Sequence, residues 1–274
     1  MNESDASPVR IAVTGVAGRM GRTLVEAIDA RDDCALGGAV ERAGSSVLGV
    51  DAGDLAGIGA RGVPVVGDLS DVLDAVDVVV DFTTPAASAA HAALCAEAGR
   101  AIVIGTTGLD DAVLAALDGA AARVPVVWAP NFSVGVNLSL QLLRLAAGVL
   151  GDTADVEIVE MHHRHKVDAP SGTALRMGEV LAETLGRDLA DVAEHGRSGI
   201  SGARDRRAIG FHALRGGDVV GDHTVIFAAD GERIEISHRA SNRMTFASGA
   251  IRAAVWSAGR GPGRYGMDDV LGLS

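Results

Sequence analysis

The stretch Glu160-Met161-His162-His163-Arg164-His165-Lys166-Val167-Asp168-Ala169-Pro170-Ser171-Gly172-Thr173 holds three of the chain's eight histidines and, among 24 basic residues, its single lysine. Arginine keeps its proton at any working pH, whereas an ammonium can release one and an imidazole does so near neutrality. A lone lysine could reflect biased codon usage in an Arg-, Ala- and Gly-rich chain. Beside three histidines it points to acid–base chemistry, with His162 or Lys166 as the group that moves a proton. His163 and Lys166 can supply positive charge to an anionic ligand. Ser171, Gly172 and Thr173 open a helix after Pro170, where N–H groups and a hydroxyl can hold a carboxylate. Zinc is the competing reading. No cysteine lies nearby, and His162, His163 and His165 at a strand end point in different directions, so no metal is expected. His91, His195, His212, His223 and His238 are read as structural.

A second constellation lies near the start. Gly15-Val16-Ala17-Gly18-Arg19-Met20-Gly21 follows a β-branched run at Val9 to Thr14 and opens a helix with apolar spacing at Met20, Leu24, Ala27 and Ile28. Glycines in that strand-to-helix setting allow a tight turn and close approach of a pyrophosphate to the helix N-terminus. Glu41 ends the next strand twenty residues after Gly21, where an acid would hold ribose hydroxyls. Arg42 follows, and a guanidinium favours a 2′-phosphate, so the pair suggests use of both NADH and NADPH. Gly105-Thr106-Thr107-Gly108 and Ala129-Pro130-Asn131-Phe132 end two further strands at the edge where such sheets bind ligands, and the second segment could also serve as a hinge.

These groups need a frame to bring them together. Strands at Val63 to Gly67, Val78 to Phe82, Ala101 to Gly105 and Val124 to Trp128 alternate with helices expected at Leu69 to Val76, Pro85 to Ala98 and Asp110 to Ala122. That alternation implies a doubly wound (Rossmann) parallel sheet in an α/β fold. After Asn131 the order changes to a long helix at Ser133 to Leu150, a strand at Asp155 to His162 and a helix from about Gly172 to Leu185. Strands at Thr224 to Ala228 and Arg233 to His238 join through Asp230-Gly231, so a second, α+β domain with a mostly antiparallel sheet is expected. The helical pattern resuming at Asn242 should return to the first domain. The expected division is 1–132 plus 242–274 for a dinucleotide-binding domain and 133–241 for a substrate-binding and oligomerisation domain.

Composition narrows the partners. With 274 residues, 48% of them apolar, the chain can bury a substantial core. A net charge of −12 opposes nucleic acid or an anionic membrane as partner. Cys34 and Cys95 form no CxxC, which suits reduced thiols. Met1 to Pro8 has no apolar leader segment, and no run reaches roughly 18 uninterrupted apolar residues. A cytoplasmic location is expected.

The pattern E-x-H-H-x-x-K-x-D-x-P-S-G-T-A at Glu160 through Ala174, with the glycine turn, Gly105-Thr106-Thr107-Gly108 and Asn131-Phe132-Ser133-Val134-Gly135-Val136-Asn137, closely resembles the 4-hydroxy-tetrahydrodipicolinate (dihydrodipicolinate) reductase family from Val9 to about Leu271. The resemblance implies NADH- or NADPH-dependent reduction of a cyclic unsaturated imine dicarboxylate, with loss of water, in diaminopimelate and lysine biosynthesis, by a homotetramer assembled through the second domain's sheet. It makes His162 a proton donor or acceptor and Lys166 a proton donor, with His163, Gly172 and Thr173 as substrate ligands. Gly15 to Met20, Glu41, Arg42, Gly105 to Thr107 and Ala129 to Phe132 fall to the cofactor. Met161 and Pro130 depart from the family's pattern, and Pro130 bears on the hinge. The rivals are an aspartate-type Rossmann dehydrogenase and an NAD(P)-binding redox sensor, and the second should lack the His-His-x-x-Lys cluster.

Overall fold

The computed structural model describes residues 7–273. The chain forms two compact units, one running to Val134 and resuming at Arg243, the other Gly135–Asn242. In the first, β1 (Val9–Thr14), α1 (Arg19–Asp29), β2 (Cys34–Val40), α2 (Ala52–Ala56), β3 (Val65–Val66), β4 (Val78–Asp81), α3 (Pro85–Ala98), β5 (Ala101–Ile104), α4 (Asp111–Ala121) and β6 (Pro125–Trp128) follow one another. In the second come α5 (Val134–Leu150), β7 (Asp155–His162), α6 (Gly172–Thr184), α7 (Leu189–Val192), β8 (Ala193–His195), β9 (Ile209–Arg215), β10 (Gly221–Ala229) and β11 (Glu232–Ala240). The tail adds α8 (Met244–Ser257), β12 (Gly263–Tyr265) and α9 (Met267–Leu271) to the first unit.

The first sheet runs β12-β6-β5-β4-β1-β2-β3 with every pair parallel. Its central strands are continuous Val/Ile runs because both faces are covered. Ile11 and Val13 pack with Leu24 and Ile28 of α1 and Ile251 of α8, while Val79 and Ile102 pack with Cys95 of α3 and Leu117 of α4. The strand order reverses between β1 and β4, which is where such sheets take ligands.

One local expectation gives way. Leu69 to Val76 is not a helix but two 3₁₀ turns, Leu69–Asp71 and Leu73–Ala75, with the Asp68 side chain accepting from Ser70 N–H. The segment is too short to repay helix nucleation, and its Ser and Asp residues favour local turns. The stretch before Gly62, without periodicity in sequence, contains α2. Asp51 organises it, its carboxylate accepting N–H groups of Gly53, Asp54, Arg61, Gly62 and Val63.

The second sheet has the order β11-β10-β7-β9-β8. Its β11–β10–β7 part is antiparallel, and β9 joins β7 and β8 in parallel. Side chains alternate along β7, so Val156, Ile158, Glu160 and His162 face inward and Asp155, Glu157, Val159 and Met161 outward. Leu143 and Ala147 of α5 and Met177 and Leu181 of α6 share the inward core with Val156, Ile158, Val225 and Phe227. Helix α5 with its following turn is long and apolar enough to cross a membrane by length and composition. It nonetheless carries Asn137, Gln141 and Arg144, and its Leu143 is fully buried in this core.

Candidate active site

In the first unit the glycine turn and Glu41 are built as one piece. Gly18 N–H donates to Gly15 carbonyl at 3.0 Å, and Val16 N–H to Val40 carbonyl at 3.2 Å. A Cβ on Gly21 would lie 2.3 Å from Gly15 carbonyl oxygen, so only glycine lets the helix pack on the turn. Glu41 accepts the Ala17 N–H at 3.1 Å through Oε2 and the Arg42 N–H at 3.1 Å through Oε1. No side chain caps the start of α1, whereas Thr84 and Asp110 cap α3 and α4. Thr14, Gly15, Glu41, Arg42, Thr83 and His91 line a cleft of about 440 Å³ at the carboxyl ends of β1, β2 and β4. A bare helix start, a glycine turn and an acid beside a cleft fit a dinucleotide.

Behind that cleft lies a charged group that residue spacing does not reveal. Asp81 is fully buried at the end of β4. It accepts from Thr83 N–H at 3.0 Å and the Thr83 hydroxyl at 2.7 Å, and the Ser88 hydroxyl lies 3.1 Å away. His91 Nδ1 meets its other oxygen. Burial would raise the Asp81 carboxyl, but hydrogen bonds from His91 and Thr83 outweigh it and hold the group below the usual carboxylate range. Thr106, 5% exposed, joins by accepting Thr83 N–H at 3.1 Å. Gly105 is glycine for a packing reason: a Cβ there would sit 2.1 Å from the Phe82 ring, which in turn lies 5.6 Å from that of Phe132. Val16, Thr106, Ala129 and Phe132 are buried, while Gly18, Arg19, Arg42, Thr107 and Pro130 are exposed and Met20 and Asn131 half-buried.

In the second unit strand alternation puts Glu160 and His162 side by side. Glu160 is 1% exposed. Its Oε2 lies 2.6 Å from His162 Nδ1 and accepts from Arg215 Nη1 at 2.8 Å. Its Oε1 accepts from Arg215 Nη2 at 2.9 Å and Ser171 N–H at 3.1 Å. Burial alone would raise this carboxyl; Arg215 and His162 hydrogen bonds prevail and lower it. Ser171 is buried, its hydroxyl accepting Ala174 N–H at the start of α6 and lying 2.9 Å from His223 Nε2. Burial, with the His162 charge next, pushes His223 down to about 4. The His162 and His223 rings meet edge to face at 5.1 Å.

The loop after β7 carries the remaining groups. Lys166 Nζ donates to both Asp168 carboxylate oxygens at 2.8 Å. Arg215 Nη2 also donates to the Asp168 backbone carbonyl at 2.6 Å. His163 Nδ1 accepts the His165 N–H at 3.2 Å. Gly172 is exposed and Thr173 half-buried at the start of α6. Among the described residues no three His, Cys, Asp or Glu side chains are grouped to hold a metal ion.

Residues 9–132 match the family described as dihydrodipicolinate reductase, N-terminus, and residues 135–271 its C-terminus. The chain belongs to the dihydrodipicolinate reductase family. A 4-hydroxy-tetrahydrodipicolinate reductase of Acinetobacter baumannii is 59% identical over 265 residues, 97% of each chain. One of Alkalilimnicola ehrlichii is 60% identical over 264 residues, covering 96% of this chain and 99% of its own. The solved structure of a dipicolinate-bound dihydrodipicolinate reductase from Paenisporosarcina sp. TG-14 superposes with a TM-score of 0.77 at 27% identity, over 96% of this chain and 99% of its own.

For a dihydrodipicolinate reductase, residue types point to His162 and Lys166, but the groups around them are harder to see. Glu160 carried a signal: two polar residues at i and i+2 on a strand share a face. Arg215 and His223 carried none, because they come 55 and 52 residues after the groups they bond. Asp81 and His91 were likewise unmarked in sequence.

Proposed function

We propose that the chain reduces 4-hydroxy-tetrahydrodipicolinate to tetrahydrodipicolinate, with loss of water, in diaminopimelate and lysine biosynthesis. The observation that carries this is the Glu160–His162 pair beside the Lys166 loop and the start of α6, in a chain of this family throughout its length. Bound NADH or NADPH supplies the hydride. Glu41 and Arg42, at the end of β2, meet the adenosine ribose; the carboxylate suits free hydroxyls and the guanidinium a 2′-phosphate. The exposed backbone at Gly18 and Arg19 takes the pyrophosphate, while Gly105 to Thr107 and Ala129 to Phe132 shape the nicotinamide end.

In the second unit Gly172 and Thr173 hold one substrate carboxylate at the start of α6, with Ser171 keeping that turn in shape. His163 and Lys166 offset the other carboxylate. The proton that must accompany the hydride goes from His162 or Lys166 to the ring carbon next to the reduced one. Assembly as a homotetramer is supported by the outward face of the second sheet, where Val159, Met161, Ile226 and the half-exposed Leu214 lie uncovered by helices. The net charge of −12 disfavours nucleic acid or an anionic membrane as partner, and a location in the cytoplasm suits a biosynthetic reductase acting on a small dicarboxylate.

The test is NAD(P)H oxidation with the freshly generated condensation product of pyruvate and aspartate semialdehyde. Turnover with that product and none with ammonia and oxaloacetate is expected. NAD(P)H oxidation with ammonia and oxaloacetate, without turnover of the condensation product, would overturn the reading in favour of an amino-acid dehydrogenase.

A further inference from the structure

The buried carboxylate next to His162 has more donors aimed at it than an ordinary surface ion pair. Glu160 takes two N–H groups from Arg215, one from the Ser171 backbone, and a contact of 2.6 Å from His162 Nδ1. An ionised carboxylate can only accept, so the nitrogen facing it must carry hydrogen. We propose that Glu160, braced by Arg215, is a positioning residue that fixes His162 in its Nδ1–H form and thereby makes Nε2 the atom that exchanges the proton. This rests on the reading of His162 as a proton-transfer group.

The surroundings support a fixed rather than a fluctuating tautomer. Arg215 grips both carboxylate oxygens, so the carboxylate cannot rotate away without breaking a bidentate pair. The same guanidinium holds the Asp168 carbonyl and so ties the Lys166 loop to the same anchor. The His223 ring on β10 meets the His162 ring, and His238 on β11 and Lys166 of the loop both act electrostatically on His223. With Glu160 offset by Arg215 and Lys166 by Asp168, protonating His162 adds one net positive charge to the cluster. An Asp-to-Asn change behind the histidine of a serine-protease triad leaves the geometry intact but lowers kcat about 10⁴-fold through the wrong tautomer. Glu160 is placed to have an effect of the same kind.

Two measurements on the holoenzyme test this. In two-bond ¹H–¹⁵N spectra of ¹⁵N-histidine enzyme with NADH bound, the ring signal missing from the His162→Gln variant should show a protonated Nδ1 when neutral; a protonated Nε2 overturns the proposal. This needs no change at Glu160, so it stands even if that variant misfolds. In steady state, Glu160→Gln should lower kcat by about 10²-fold with NADH affinity unchanged, and adding it to His162→Gln should cost nothing more. Losses that multiply would assign Glu160 a separate role and overturn the proposal. Near-normal kcat in His162→Gln would instead remove the reading of His162 on which it rests.

Discussion

Asp168 holds the only lysine ammonium with both of its carboxylate oxygens, and a substrate carboxylate that seeks Lys166 competes with it for the three N–H donors. The Lys166 hydrogen bond is the main reason the Asp168 carboxyl lies below its ordinary range. The Asp168 side chain is 55% exposed, which places the pair in the screened class worth about 0.2–1 kcal/mol. Asp168→Asn removes that competition. Affinity for a dicarboxylate should therefore rise about 1.4- to 5-fold, and the gain should shrink in high salt. Titration calorimetry of the NADH-loaded enzyme with dipicolinate reads this directly, with NADH affinity of the same variant as control. A loss of dipicolinate affinity in Asp168→Asn would refute the reasoning and recast Asp168 as the group that aims Lys166 at the ligand.

Arg42→Ala should weaken NADPH by about 1.5–3 kcal/mol and leave NADH nearly unchanged, whereas Glu41→Ala should weaken NADH most and also loosen the turn that donates Ala17 N–H to it; calorimetric titration with each cofactor distinguishes the two. Gly105→Ala would drive a methyl into the Phe82 ring, so a thermal melt should show a loss of about 1–3 kcal/mol, and an unchanged melting temperature would contradict that packing. His223 is held at about 4, below its ordinary 6.5. Its neutral form is thus favoured by folding, and the associated stability is intact above pH 6.5 and drains as pH falls toward 4, on the order of 3 kcal/mol in total. His238 is also lowered by burial and acts in the same direction as pH falls below 6.5. Denaturant melts from pH 7 to 4.5 should fall more steeply for wild type than for His223→Asn, and parallel curves would refute the assignment.

The first unit's order of strands and helices is legible because the buried runs of β1, β4 and β5 at Ile11 to Val13, Val78 to Val80 and Ala101 to Ile104 are covered on both faces and consist of Val, Ile and Ala. The second unit is less so. β9 follows a long stretch rich in Gly, Ser and Arg and pairs in parallel with β7, more than fifty residues earlier, so nothing local announces it. β12 is three residues long and exists by lying beside β6. At the site, His162 and Lys166 stand out by residue type alone. Of their supports only Glu160 is legible, as a polar residue two positions before His162 on one strand face; Arg215 and His223 reach the site from β9 and β10, and the Asp81 carboxylate is completed by Ser88 and His91 of α3.

The anchoring of His162 also has a consequence for the order in which the protein becomes competent. Glu160 and His162 leave the ribosome well before Arg215 of β9, whose guanidinium offsets the Glu160 charge. Until β9 has paired with β7, Glu160 lacks that counter-charge, and the Lys166 loop lacks its tie at Asp168. Parallel pairing over such a separation is among the slower steps of folding. The Glu160–His162 pair is therefore completed by a long-range contact rather than by the local segment that supplies most of the residues around it.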